Sequence, residues 1–359
     1  MARGVNRMAV VTDRDEAASI STRASSETEP SPVCRLVSVV VPVFNEADVL
    51  SMFHARLSSV LDALDFPGEV IYVNDGSTDE TGALLASLQR SDPRVAVIEF
   101  SRNFGKEAAL TAGLDHARGD AVVVIDADLQ DPPELIPALF RYWKQGYEVI
   151  YGRRARRQGE TMLKRLTSYL FYRVMGRISW LRIPDDTGDF RLLSRRAVDA
   201  LRELREQHRF MKGLFAWVGF PQIAVEYERE SRYAGRTKWN YWRLWNFALE
   251  GVTSFSTTPL KVATYFGLLV SICAFVLAAK VIVKTLLYGD AVRGYPSLMV
   301  VILFLGGVQL ISVGLLGEYV ARIFNEVKRR PLYVMRSYRP AVVNARDADV
   351  KGPPRSNTA

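Results

Sequence analysis

Two aspartates one residue apart, Asp126 and Asp128, end an apolar run in VVVIDADLQDPPELI (residues 122–136), and Gln130 follows two positions later. Two carboxylates and an amide at that spacing form an oxygen-ligand set suited to Mg2+ or Mn2+. Such an ion commonly bridges a protein and a diphosphate, and it neutralises the charge that builds on a phosphate leaving group. An isolated D-x-D also arises by chance in surface loops. Here it has company. VPVFNEAD places Glu46, and VNDGSTDET places Asp75, just beyond two other apolar runs. Asp75-Gly76-Ser77 reads equally as a turn with a helix cap. A further acidic group, Asp185, Asp186 and Asp189 in DDTGDFRLLSRRAV, precedes a strand-like FRLL and a helix capped by Ser194.

The chain must carry these acids to one place. VVVID reads as a buried strand, which Pro132 and Pro133 stop before a helix opens at Glu134. VSVVVPVF, EVIYVND, VAVIEF and YEVIYG read as further strands. Between the first two, EADVLSMFHARLSSVLDAL has apolar residues at helical spacing. This alternation, from Val37 to about Tyr151, predicts an α/β domain with a mostly parallel sheet and helices on both faces. Such sheets bind ligands beyond the carboxyl ends of their strands. Glu46, Asp75, Asp126 and Asp128 all fall there.

The chain has 359 residues and a net charge of +8, so anionic partners are expected: phosphates, nucleic acid or a membrane surface. No aromatic-basic reading platform stands outside the membrane-proximal segments, which sets nucleic acid aside. The two cysteines, Cys34 and Cys273, form no framework, and His54, His116 and His208 lack metal-ligand spacing, so a His/Cys zinc site is excluded. Met1 to about Pro32 is polar and aperiodic, without the apolar core of a signal peptide, and reads as a disordered tail.

The last third changes character. VATYFGLLVSICAFVLAA (262–279) and SLMVVILFLGGVQLISVGLL (297–316) are each close to the roughly 20 apolar residues that span a bilayer. KRR, residues 328–330, follows the second run, and the positive-inside rule puts that end in the cytoplasm. Two spans then put the α/β domain there too. Trp239, Trp242 and Trp245 share one helical face before the first span and predict an interfacial helix. MLKRLTSYLFYRVMGRI (162–178) interleaves basic and apolar residues in the same way. It holds Lys164, Arg165 and Ser168, close to the arginine cluster 153–157. Arginine suits phosphate geometry, and such a basic cluster equally attracts anionic lipids.

VVVPVFNE, VNDGSTD, DADLQDPPE and TGDFRLLSRRAV resemble the family 2 glycosyltransferases. More narrowly, they resemble the membrane-bound polyprenyl-phosphate glycosyltransferases, which include dolichol-phosphate mannose synthases and bactoprenol glucosyltransferases. Two terminal spans favour the bactoprenol branch. The resemblance runs from about Val37 to Tyr338. It implies a nucleotide-sugar-binding fold of the GT-A type, a Mg2+ or Mn2+ cofactor, and inverting transfer of one sugar to a lipid phosphate. UDP-glucose is the favoured donor, with GDP-mannose and UDP-N-acetylglucosamine as alternatives. A homo-oligomer and a flippase partner are further implications.

Residue by residue, the resemblance implies that Pro42, Phe44 and Glu46 line the base and ribose and that Asp75 contacts the base. Asp126, Ala127 and Asp128 meet the donor, and Asp126, Asp128 and Gln130 hold the metal. Asp189, with Asp128, is the catalytic candidate beside the acceptor. Arg153, with Lys164, Arg165 and Ser168, serves the acceptor phosphate. Arg232 and Lys238 belong to a mobile loop over the diphosphate. Relatives often have Tyr at Phe44 and Ser at Thr237. A base is not plainly needed, because a phosphate monoester with a second pKa of about 6 is already largely dianionic at neutral pH. Asp189 either takes the last proton or orients the acceptor, by hydrogen bonds or by pairing with Arg191 or Arg153.

The expected organisation is a disordered tail over 1–34, a cytoplasmic catalytic domain over 35–238 and an interfacial helix over 239–258. Membrane helices follow over 259–287 and 296–318, then a cytoplasmic tail over 319–359. A processive polysaccharide synthase would need more spans and a Q-x-x-R-W motif, which QHRFMKG does not supply. A catalytically dead membrane scaffold would tolerate loss of a carboxylate, and this chain keeps them all.

Overall fold

The computed structural model describes residues 33–154, 187–207, 209–227, 258–288 and 294–343. The chain divides into two compact units, one built on a sheet and one on two long helices.

The first unit alternates as the sequence predicts: β1 (Val37–Val43), α1 (Ala47–Asp62), β2 (Gly68–Asn74), α2 (Thr81–Ser91), β3 (Val95–Phe100), α3 (Lys106–His116) and β4 (Ala121–Val124). A single 3-10 turn at Pro133–Leu135 leads into α4 (Ile136–Trp143), two residues beyond the helix start expected at Glu134. Then come β5 (Val149–Arg154), β6 (Thr187–Ser194), α5 (Arg195–Glu203), α6 (Met211–Trp217) and β7 (Gln222–Tyr227). The strands form one sheet in the order β7-β5-β6-β4-β1-β2-β3-β8, where β8 is Met335–Arg339. β1 through β4 run parallel, β5 and β7 run with them, and β6 and β8 run against them.

Strand alternation assigns the two faces. Val37, Val39, Val41 and Val43 of β1 enter one core with Phe53 and Leu57 of α1 and Ile136 and Leu139 of α4. Val40 points the other way, against α3, where a Cβ on Gly113 would lie 2.1 Å from Val40 Cγ1. Only glycine permits that approach. Helices therefore cover both faces, as a buried parallel sheet requires. Ser194 caps α5, its Oγ accepting from the Ala197 N–H at 3.1 Å.

β8 lies after both long helices yet completes the sheet beside β3. Tyr333, just before it, stacks on Phe100 with ring centroids 5.1 Å apart. Ser337 and Arg339 both bond to Glu99. Residues 335–339, which the sequence reading left in a tail, are thus part of the fold.

The second unit holds α7 (Thr258–Tyr288) and α8 (Tyr295–Lys328). Their apolar side chains face outward, with Leu310 75% and Ile311 74% exposed. Among the described residues, Phe304–Lys328 is the segment long and apolar enough to cross a membrane. α8 runs ten residues past the expected end of the second span, carrying Glu318 and Arg322 as an i,i+4 ion pair at 3.1 Å.

Candidate active site

The loops at the carboxyl ends of β1, β2 and β3 are fastened to one another. Asn45, at φ 55°, donates its N–H to Ser77 Oγ at 3.0 Å, and its Oδ1 accepts from the Thr78 N–H at 2.8 Å. The Glu46 N–H donates to Thr81 Oγ1 at 3.0 Å. Asp75 is 3% exposed and accepts from the N–H groups of Phe104 at 2.7 Å and Gly105 at 3.0 Å. Burial pushes its carboxyl up even so. Gly76, at φ 68°, lies against the same loop, where a Cβ would come within 2.5 Å of the Arg102 carbonyl carbon. Asp75 thus anchors the loop that opens α3.

The first residue of α3 is Lys106, and its ammonium is the centre of the site. Nζ lies 2.7 Å from Asp126 Oδ2 and 2.5 Å from Asp189 Oδ2. Asp126 follows β4 and Asp189 lies on β6, the antiparallel neighbour of β4. Burial works against the Lys106 charge, but Asp126 and Asp189 outweigh it and hold the ammonium protonated. Burial also pushes Asp126 up, with Asp189 and Asp128 adding to the effect against Lys106. Asp189 goes the other way. Burial would raise it, yet Lys106, Lys212 and Arg191 together hold it well below the usual carboxylate range. Asp189 is therefore the firmly ionised member of the pair.

Asp128 Oδ1 accepts the Gln130 N–H at 3.2 Å, and Leu129 between them takes a left-handed φ of 59°. Asp131 accepts from the Tyr227 hydroxyl. These bonds fold the D-x-D segment into a tight turn beyond β4. No group of three or more His, Cys, Asp or Glu among the described residues is arranged as a metal cage. Asp126 and Asp128 still fit a divalent ion shared with a ligand, because Mg2+ is usually held by one or two carboxylates plus phosphate oxygens and water. The Lys106 ammonium seated on Asp126 shows that this cluster attracts a cation.

The structure redistributes the arginines. Arg191 donates to its own neighbourhood, to Asp189 O at 3.2 Å and Gly188 O at 2.9 Å, and lies 3.6 Å from the centroid of the Phe215 ring. Burial lowers it to about 10. Arg153 pairs with Glu226 across β5 and β7. The partner of the Asp189 carboxylate is thus Lys106 rather than Arg191 or Arg153. Pro42 and Phe44 are half-buried at the end of β1, and Ala127 is buried. Asp185, Asp186, Arg156, Arg157, Lys164, Arg165, Ser168, Arg232, Thr237 and Lys238 lie outside the described residues. So do the N-terminal tail to residue 32 and the interfacial helix expected over 239–258.

Residues 38–202 match Glycosyl transferase family 2, and residues 258–323 match the GtrB C-terminal hairpin. An uncharacterized glycosyltransferase of Synechocystis is 53% identical over 299 residues, covering 83% of this chain and 94% of that protein. The chain is a family 2 glycosyltransferase. This glycosyltransferase is also 49% identical to the SfII prophage-derived bactoprenol glucosyl transferase of Shigella flexneri, over 84% of the chain and 97% of the relative. A prophage bactoprenol glucosyl transferase homolog of Escherichia coli K12 is 48% identical, over 84% and 98%.

Sequence reasoning missed Lys106 and its neighbour Glu107. Glu107 accepts from the Met211 N–H at 3.3 Å, and burial with the Asp189 charge pushes it up to about 7. One signal was present in this glycosyltransferase's sequence. A lysine opening a helix sits against the helix dipole, so a position such as NFGKEAAL calls for a partner elsewhere.

Proposed function

We propose that this glycosyltransferase moves one glucose from UDP-glucose to a polyprenyl phosphate at the cytoplasmic face of a membrane, inverting the anomeric centre. The observation that carries this reading is the presence in one chain of the carboxylate cluster and the apolar hairpin. Relatives that match over most of the chain include the SfII prophage-derived bactoprenol glucosyl transferase and a prophage bactoprenol glucosyl transferase homolog. An acceptor phosphate oxygen bonds to the anomeric carbon as the bond from that carbon to the diphosphate oxygen breaks. UDP leaves with the electron pair, and attack from the opposite face gives the β-linked product.

Asp126 and Asp128, with Gln130 beside them, would hold a Mg2+ or Mn2+ ion, which would supply charge neutralisation at the diphosphate leaving group. Asp189, kept ionised by its three cations, is a weak base and orients the acceptor by accepting a hydrogen bond. Pro42, Phe44 and Glu46 border the nucleotide. Arg153, Lys164, Arg165 and Ser168 serve the acceptor phosphate, and Arg232 and Lys238 close over the diphosphate.

α7 and α8 each cross the membrane once in this reading. With 31 and 34 residues they extend about 46 and 51 Å, more than the roughly 30 Å hydrocarbon core. An even number of crossings is supported by β8, which follows the hairpin in the chain but pairs with β3, which precedes it. A reporter fused after Ala359 checks the orientation; activity found only outside the cytoplasm contradicts it.

The experiment is direct. Purified full-length protein is given polyprenyl phosphate, Mn2+ and a panel of labelled nucleotide sugars. Labelled lipid from UDP-glucose is expected. Labelled lipid from GDP-mannose or UDP-N-acetylglucosamine alone overturns the donor, and no labelled lipid from any donor overturns the reaction.

A further inference from the structure

The Lys106 ammonium is seated on Oδ2 of Asp126, one of the two carboxylates read above as ligands of a divalent ion. The strand pairing explains why a cation is there at all. β4 pairs with β6 from Ala121↔Ser194 to Val124↔Arg191, and the same register carried two residues further sets Asp126 opposite Asp189. Like charges directly across a ladder repel. An ammonium between them removes the repulsion.

The chain goes to some length to put it there. Lys106 opens α3, where the helix dipole disfavours a cation. Gly105 precedes it at φ 96°, and the buried Asp75 fixes that loop through two backbone N–H groups. The Lys106 side chain is 41% exposed, so solvent and ligand can reach it.

We infer that Lys106 is a positioning residue that holds the place of the divalent ion. In the donor-free enzyme its ammonium keeps Asp126 and Asp189 apart and in place. When the ion arrives with the diphosphate, Lys106 releases Asp126 and stays with Asp189. This rests on the reading of Asp126 and Asp128 as the cation ligands. A consequence is that the ion and the donor bind together. The ion alone must displace Lys106 with only two carboxylates to gain, whereas the diphosphate supplies further oxygens.

The test is Mn2+ binding to the full-length protein without donor, read by electron paramagnetic resonance of the free ion. Lys106→Gln is expected to bind Mn2+ at least about fivefold tighter than wild type, since a competing positive charge is gone. Its kcat for transfer falls, because Asp189 loses its anchor. Lys106→Arg keeps the charge and is expected to stay within about twofold of wild type in Mn2+ affinity. Equal or weaker Mn2+ binding by folded Lys106→Gln overturns the inference. A second arm uses the wild type and does not depend on a variant folding. Mn2+, at a concentration that the resonance titration shows to saturate the donor-free protein, is expected to speed modification of Lys106 by an amine-reactive reagent, followed by mass spectrometry. No change in that rate overturns the inference. Asp128→Asn separates the two levels: if it leaves wild-type Mn2+ affinity unchanged, the cation reading fails and the inference with it.

Discussion

The two ends of the same strands hold acids in opposite ways. At the amino end, Glu69 of β2 is 1% exposed and fully used. It accepts from Ser38 Oγ at 2.6 Å, from the Arg118 N–H at 2.9 Å, and from the Arg118 guanidinium at 2.9 and 2.5 Å. One acid meets one arginine, and every bond is made inside the fold. At the carboxyl end, Asp126 and Asp189 share a single ammonium, and Asp128 stands two residues away. These acids share their cations, and Lys212 and Arg191 also act on Asp189. A buried charge must be satisfied or it costs stability, and an ammonium shared between two acids is a partner that a bound cation can replace. The difference separates a structural ion pair from a functional one where burial alone would not.

Mutations at the two ends should divide accordingly. The largest effect is expected for Asp126→Ala: loss of transfer by about 10^2-fold or more, from the loss of charge stabilisation at the leaving group. Its melting temperature should change little, since Lys106 keeps Asp189 as its partner. Activity assays and thermal melts on the same preparation check both halves. A large fall in stability with activity intact would make this end structural too.

Asp189→Asn comes next, with a loss of about 10^2-fold expected. The pH profile carries the information. Lys106, Lys212 and Arg191 overcome burial to hold the Asp189 carboxyl below its usual range, so it stays ionised across pH 5.5 to 8.5, roughly the working range of such assays. The loss should therefore be the same factor at every pH. Recovery of the variant as pH rises above about 7.5 would restore Asp189 as a general base.

Glu69→Ala should act on stability alone. It strands the Ser38 hydroxyl proton and the Arg118 guanidinium, at a cost of about 2–4 kcal/mol. The folded fraction should keep wild-type kcat, measured below the lowered melting point. A selective fall in kcat would link the two ends.

The smallest effect is expected at Glu107. Burial and Asp189 raise its folded pKa to about 7, so the folded state binds the proton more tightly than the unfolded state. Its stabilising contribution is complete below the ordinary carboxyl range and is lost as pH rises through about 7. Glu107→Gln does not titrate. It should match wild type near pH 5 and exceed it by about 1 kcal/mol at pH 8. Equal stability curves at both pH values would mean that Glu107 is not raised.

The acids were legible in the sequence because local rules place them. Strand alternation, the proline stop and the spacing of Asp126 and Asp128 set both at a strand end without knowledge of the partner, whereas Asp189 stood out from Asp185 and Asp186 only through the family resemblance. Lys106 was not legible in the same way, because its partners are 20 and 83 residues away and only the sheet order brings them together. Asp75 was half legible. DGST reads as a turn, and it is one, but its carboxylate fastens a loop whose anchoring depends on β3 lying beside β2. β8 was hidden for a different reason. MRSYR is a mostly exposed edge strand with no apolar face, and it pairs with a strand some 240 residues earlier.

The most direct test of the central claim is the rate of glucolipid formation by the wild-type enzyme, with UDP-glucose, polyprenyl phosphate and Mn2+, before and after EDTA. The carboxyl end of the sheet should fall silent in excess EDTA and recover when Mn2+ is restored. Full transfer in EDTA would contradict the account, because Asp126 and Asp128 would then have no divalent ion to hold.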